Sequence, residues 1–121
     1  MNWKDRIYCG DVAQHQTGKD ILLLGWVDAI RDHGNVLFIH LRDIRGIVQV
    51  VFSSEKNKNC YDIAASLKEE YVVEIMGRVA LREKGTENPN LKTGTIEVEA
   101  TDIKILTTSK PLPFRISEKA M

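Results

Sequence analysis

Two consecutive runs with a period of two constrain this chain more than any other feature. In residues 37–42, Leu37, Ile39 and Leu41 alternate with Phe38, His40 and Arg42. After a turn at Arg45-Gly46, Val48, Val50 and Phe52 alternate with Ile47, Gln49 and Val51. Successive side chains of a β-strand point to opposite faces, so this spacing predicts paired strands with one apolar face and one mixed face. Upstream, residues 21–29 are rich in branched side chains and lead into a charged turn, Arg31-Asp32-His33-Gly34. Residues 25–51 therefore read as three consecutive strands. Phe38 stands on the mixed face beside basic and amide groups, and an aromatic ring there needs a reason.

The rest of the chain completes a recognisable plan. Ser53-Ser54 offers a helix cap, and Cys60, Ile63, Ala64 and Leu67 recur at the spacing of an amphipathic helix, expected to plug one end of a barrel. Residues 71–81 return to strand character, and Ile96, Val98 and Ala100 alternate with Glu97 and Glu99 in a strand predicted to reach Leu106. Gly25 and Gly77 fall inside strands, where glycine marks a bulge or a sharp bend, and Trp26 is expected as a core anchor. An extended arm around Arg6-Ile7-Tyr8 and a short helical turn after Gly10 precede the first strand. Three strands, a helix and two strands give an all-β fold with one helix. This is the OB-fold, a five-stranded Greek-key barrel with its helix between strands 3 and 4. The domain is expected over residues 1–106. Residues 107–121, TTSKPLPFRISEKAM, lack periodicity and read as the start of an inter-domain linker.

Composition narrows what such a barrel does. At 121 residues the chain makes one domain. Lys+Arg and Asp+Glu both number 17, so no global basic field gathers phosphates, and a nucleic-acid site here reads a few unpaired bases. The first residues carry both charge signs without an apolar core of signal-peptide length, and no apolar run is long enough to cross a bilayer, so a soluble cytoplasmic protein is expected. His15, His33, His40, Cys9 and Cys60 share no metal-ligand spacing; no metal site is expected, and the cysteines read as buried thiols. No GxSxG, Walker-type or HExxH motif occurs, and Asp28, Asp32 and Asp43 read as turn and strand-end acids rather than paired catalytic carboxylates. The chain is a binder with no catalytic residue of its own.

OB-folds bind unpaired nucleic acid on the face of strands 2 and 3, flanked by the loops between strands 1 and 2 and between strands 4 and 5. Stacking of a base on an aromatic ring contributes about 1–3 kcal/mol. Alternation alone leaves Phe38 open between such a platform and a ring covered by the chain's own loop. Gln49 carries a donor and an acceptor for a base edge, and Arg31 or Arg42 can meet phosphates or base acceptors. Arg42 and Asp43 read more simply as a strand-end ion pair, and His40 as a solvent-facing residue. The polar stretch REKGTENPNLKTG, residues 82–94, is too long for a tight hairpin and is a candidate functional loop. A general single-strand-binding or protein-interaction OB module is the competing reading.

GWV, RDHG, FIHLRD and GIVQVVF in the central strands, with YCG, EEYVVEIMGRV, GTENPNLKTGTIEV and PLPF elsewhere, resemble the N-terminal anticodon-binding domain of bacterial aspartyl-tRNA synthetases. The resemblance spans nearly the whole chain. GWV, LRD and QVV alone are shared with the asparaginyl and lysyl enzymes, which stay as rivals; RDHG and NPNLKTG carry the aspartyl assignment. It implies that the RNA-binding residues are Arg31, His33, Phe38, Gln49, Arg82, Asn88 and Glu97. Phe38 matches the ring that stacks on the central uracil, with Arg31 and Gln49 as its polar neighbours. Glu97 matches the acid that reads the first-position guanine, and the loop from Arg82 to Thr93, with Asn88, approaches the anticodon. His33 matches the neighbourhood of the third base and resembles members that accept both aspartate and asparagine tRNAs. His40 stands where the family usually has Asp, and Thr95 where it often has Glu. The resemblance further implies a parent enzyme that is a class II, homodimeric, cytoplasmic aspartate–tRNA ligase using ATP and Mg²⁺. Its partner is the tRNA anticodon loop and no membrane is involved. The FRxE and GxGxGxxR segments of that chemistry do not occur in these residues, so the chain itself is expected to hold no cofactor.

Overall fold

The computed structural model describes residues 6–108. The elements follow the expected order: β1 (Asp20–Asp32), β2 (Val36–Asp43), β3 (Gly46–Ser53), α1 (Lys58–Ala64), β4 (Val72–Leu81) and β5 (Ile96–Thr107). Hydrogen bonding closes a barrel in the order β1-β2-β3-β5-β4, antiparallel throughout except for β3 and β5. Closure leaves no open sheet edge. Leu37, Ile39, Leu41, Val48, Val50 and Phe52 all point inward, as the period of two requires, and meet Leu23, Val27, Val73, Ile75 and Val98 in one apolar core.

Closing five strands demands bends, and of three irregularities of register one lies at Val72/Val73 and the other two lie near the glycines singled out in the sequence. In β1, Val27 pairs with Leu41 and Ala29 with His40, which leaves Asp28 as the extra residue of a bulge. Gly25 is not that bulge. A Cβ at Gly25 would run into the carbonyl oxygen of Arg42, so glycine there permits β2 to cross close over β1. Gly77 does flank the second irregularity, between Met76 and Gly77, and a Cβ there would stand 2.5 Å from Val98 Cγ1 and 2.7 Å from the Glu99 carbonyl oxygen.

Three local expectations are corrected. Trp26 is half-buried and lies outside the core, because Val27, one residue along and fully buried, takes the inward position. The helix is capped by Asn57, whose side chain accepts from the Cys60 N–H at 3.0 Å, while Ser53 Oγ accepts from the Lys56 N–H in the turn before it. The apolar stripe is only partly used. Cys60, Ala64 and Leu67 are buried, but α1 is a short seven-residue helix and leaves Ile63 39% exposed. The N-terminal arm bridges Arg6 to Leu22, and short 3-10 turns follow at Cys9–Asp11 and Gln14–Gln16.

Cys9 and Cys60 are both buried and unbridged. Thr107 closes β5, and the expected linker beyond Thr108 lies outside the described residues. Among those residues no helix is long and apolar enough to cross a membrane.

Candidate nucleic-acid interface

The outward face of β2 and β3 is organised in rungs. Arg42 pairs with Ile47, His40 with Gln49, Phe38 with Val51 and Val36 with Ser53. β5 runs parallel to β3 on its other side and brings Glu99 level with Val51. One rung further along, Gln49 Nε2 donates to Glu97 Oε1 at 3.1 Å, which covers Gln49 to 9% exposure although it faces outward. The curled end of β1 delivers Arg31 opposite Phe38. The result is a concavity of about 490 Å³.

Six of the seven residues singled out in the sequence line it: Arg31, His33, Phe38, Gln49, Arg82 and Glu97. The seventh, Asn88, does not. Its side-chain oxygen accepts from the Asn90 N–H at 3.0 Å, and its own N–H donates to the Gly94 carbonyl, so Asn88 helps fold the β4–β5 loop back on itself. From that loop Glu83 and Thr86 reach the concavity instead. The loop is anchored below by Thr93, whose hydroxyl donates to the Ile47 carbonyl at 2.6 Å.

Each wall has a cause. His33 sits in a turn built by Asp32 Oδ1 accepting from the Gly34 N–H at 2.8 Å, with Gly34 at φ +81. The Tyr61 hydroxyl from α1 donates to the Gly34 carbonyl at 2.6 Å and pins that turn to the helix. This places the His33 ring edge-to-face with Phe38, centroids 5.2 Å apart at 84°. Phe38 is half-buried on the wall of the concavity, with the His33 ring of the β1–β2 turn packed against it.

Arg82 is 9% exposed and tightly held: Nε donates to the Ile96 carbonyl at 3.1 Å and Nη1 to the Thr86 carbonyl at 3.3 Å. Its buried Nη2 has no hydrogen-bond partner among the described residues. Burial pulls this guanidinium below its ordinary value, against the opposing charge of Glu97. Burial also raises the Glu97 carboxyl, partly offset by the Gln49 hydrogen bond and by Arg82. His40, expected to face solvent, is half-buried; burial, then Arg82 and Arg31, lower its pKa and favour the uncharged ring. The cations Arg31, Lys56 and Arg82 face the carboxylates Glu83, Glu97 and Glu99 across the concavity. Such a balanced site favours base edges and stacking over bulk phosphate attraction.

The acids and bases set aside in the sequence are structural, with one change of partner. Arg42 Nε pairs with Asp28 at 3.0 Å, not with Asp43. Asp43 accepts from the Cys9 N–H at 2.7 Å and the Arg45 N–H at 2.8 Å, so its carboxylate closes the β2–β3 turn. Val36, Val51, Ser53 and Glu99 line the concavity too, at outward parity readable in the sequence; Lys56 lies in a turn, where no period points to it, and Glu83 and Thr86 belong to the 82–94 loop singled out above.

The tRNA anti-codon family model, an OB-fold nucleic acid binding domain, matches residues 21–106. The chain belongs to this family. Its OB-fold barrel is therefore supported by both strand order and descent. Over 122 residues the domain is 51% identical to aspartate–tRNA(Asp/Asn) ligase 1 of Syntrophus aciditrophicus, covering 100% of this chain and 17% of that protein. It is 50% identical over 115 residues to the aspartate–tRNA ligase of Enterococcus faecalis, covering 95% of this chain and 20% of that one. The chain thus spans about a fifth of the length of these curated relatives. Among solved structures, the asparaginyl-tRNA synthetase of Pyrococcus horikoshii superposes with a TM-score of 0.73 at 26% identity, over 88% of this chain and 24% of that chain.

Proposed function

We propose that this OB-fold domain is the anticodon-binding domain of an aspartate–tRNA ligase and that its concave face takes the unpaired anticodon bases of that tRNA. The observation that carries this is the convergence of Arg31, Phe38, Gln49, Arg82 and Glu97 on one concavity. The relatives near 50% identity are named as aspartate–tRNA ligases, which favours the aspartyl over the asparaginyl or lysyl reading. Phe38 supplies the stacking surface for the central base. Gln49, oriented by Glu97, and Arg31 meet that base's edge. Glu97 offers a carboxylate to the two N–H groups on guanine's Watson–Crick edge at the first position. Arg82, held through Nε and Nη1, places a fixed positive charge that favours the ionised form of Glu97.

None of these groups does chemistry. On this reading the whole protein activates aspartate with ATP and Mg²⁺ and transfers it to tRNA, as a cytoplasmic homodimer, through residues outside this chain. His33 lies at the wall where the third base arrives, and one of the relatives is named for both Asp and Asn tRNAs. We therefore include asparagine tRNA among the ligands. The test is titration of the chain with anticodon stem-loops of aspartate, asparagine and unrelated tRNAs. Tight binding of the first two and weak binding of the rest is expected. Equal binding of all of them contradicts the assignment and favours a general single-strand module. Strong preference for aspartate over asparagine removes only the dual-ligand part.

A further inference from the structure

We propose that the concave face also holds a fourth unpaired nucleotide, one that flanks the triplet, on the apolar floor of Val36 and Val51 with its phosphate at Lys56. The proposal rests on the anticodon reading above and deepens it. The concavity extends past the residues given to the three bases and continues over Val36, Val51, Ser53, Lys56 and Glu99. Val51 shares the rung of Phe38, with Glu99 level with it on β5, and the pair Val36–Ser53 extends the same face by one further rung. Outward positions two residues apart lie about 7 Å along a strand, so the next rung begins where a base stacked on Phe38 ends. Val36 and Val51 are both only half-buried, which leaves apolar surface open beside the ring.

The polar rim suits a nucleotide. Lys56 Nζ lies 3.6 Å from Glu99 Oε2, with the two side chains 75% and 42% exposed. A pair this exposed holds its partners weakly, so a phosphate can draw the ammonium away at little cost. Glu99, released from Lys56, then accepts from an amino or imino N–H of the base. While paired, Lys56 also masks a carboxylate that would otherwise repel the RNA backbone. The turn that carries Lys56 is fixed by its N–H donating to Ser53 Oγ at 3.3 Å.

The experiment titrates the chain with the aspartate anticodon stem-loop and with two versions abasic immediately 5′ or 3′ of the triplet. One abasic version should bind about three- to tenfold more weakly. Val51→Ser should lose a similar factor on the intact loop and nothing further on that abasic loop. Lys56→Gln, at an exposed site that does not burden folding, should lower the slope of log affinity against log salt by about 0.7, the share of one single-strand phosphate. Full affinity for both abasic loops, an unchanged salt slope in Lys56→Gln, or an equal Val51→Ser loss on every loop overturns the fourth subsite alone. Wild-type binding that does not prefer the aspartate loop overturns the anticodon reading and this proposal with it.

Discussion

On the proposed reading, the demands of folding and of recognition meet at Glu97 in one carboxyl group. Burial raises its pKa above the ordinary 4.5, while Gln49 and Arg82 pull the other way and Glu99 and Glu83 add to the rise. A raised carboxyl takes up its proton at higher pH than a free glutamate, and the protonated form cannot accept two N–H groups from guanine. Binding of a loop with guanine first should therefore weaken as pH falls through a window that opens above 4.5, and Glu97→Gln should flatten that acid limb while weakening binding at neutral pH. The same shift means that the ionised side chain costs stability above its folded pKa. Glu97→Gln should accordingly leave the barrel at least as stable at neutral pH, which thermal unfolding reads directly. An acid limb identical in wild type and variant would assign the titration to another group. Placement on the outward face was legible where a strand's parity fixed it, as for Phe38 and Gln49. It was not legible in the β4–β5 loop, where no period places a side chain and Asn88 stands outside the lining of the concavity.

The elements were readable as types and misread at their joints. Alternation located β2, β3 and β5, and a continuous apolar run located β1, yet the same run could not say which of Trp26 and Val27 faces inward. Both faces of the run are apolar, and it is the closed barrel that turns Ile21, Leu23 and Val27 into the core. The helix cap moved from Ser53-Ser54 to Asn57 because the serines complete the turn leaving β3. The glycines have distinct roles that composition does not separate: Gly25 permits a strand crossing, whereas Gly77 sits at a register shift against β5. Gly77→Ala places a methyl against Val98 and the Glu99 carbonyl and should cost about 1–3 kcal/mol in chemical denaturation. A cost near zero would show that β5 yields at that point. Because Glu97 and Glu99 flank Val98, the variant should also weaken RNA binding more than its loss of stability explains.

For the whole molecule, a net charge of zero is matched inside the concavity by three cations facing three carboxylates. Such a domain gains little from counterion release. The slope of log affinity against log salt should be no steeper than about −2, the share of three single-strand phosphates. A markedly steeper slope would mean that basic residues outside the concavity carry the binding. The buried thiols add no chemistry; burial raises both, with Cys60 pushed up to about 11. On the proposed reading, the open face of the barrel reads bases by stacking and by side chains held in place. The measurement that bears most directly on that account is a coupling cycle. It compares wild type and Phe38→Ala, each binding the aspartate anticodon stem-loop with its central uracil present or abasic. Phe38→Ala should cost about 1–3 kcal/mol on the intact loop and almost nothing on the abasic one. Equal losses on both loops, or no loss on either, would contradict the stacking of the central base on Phe38.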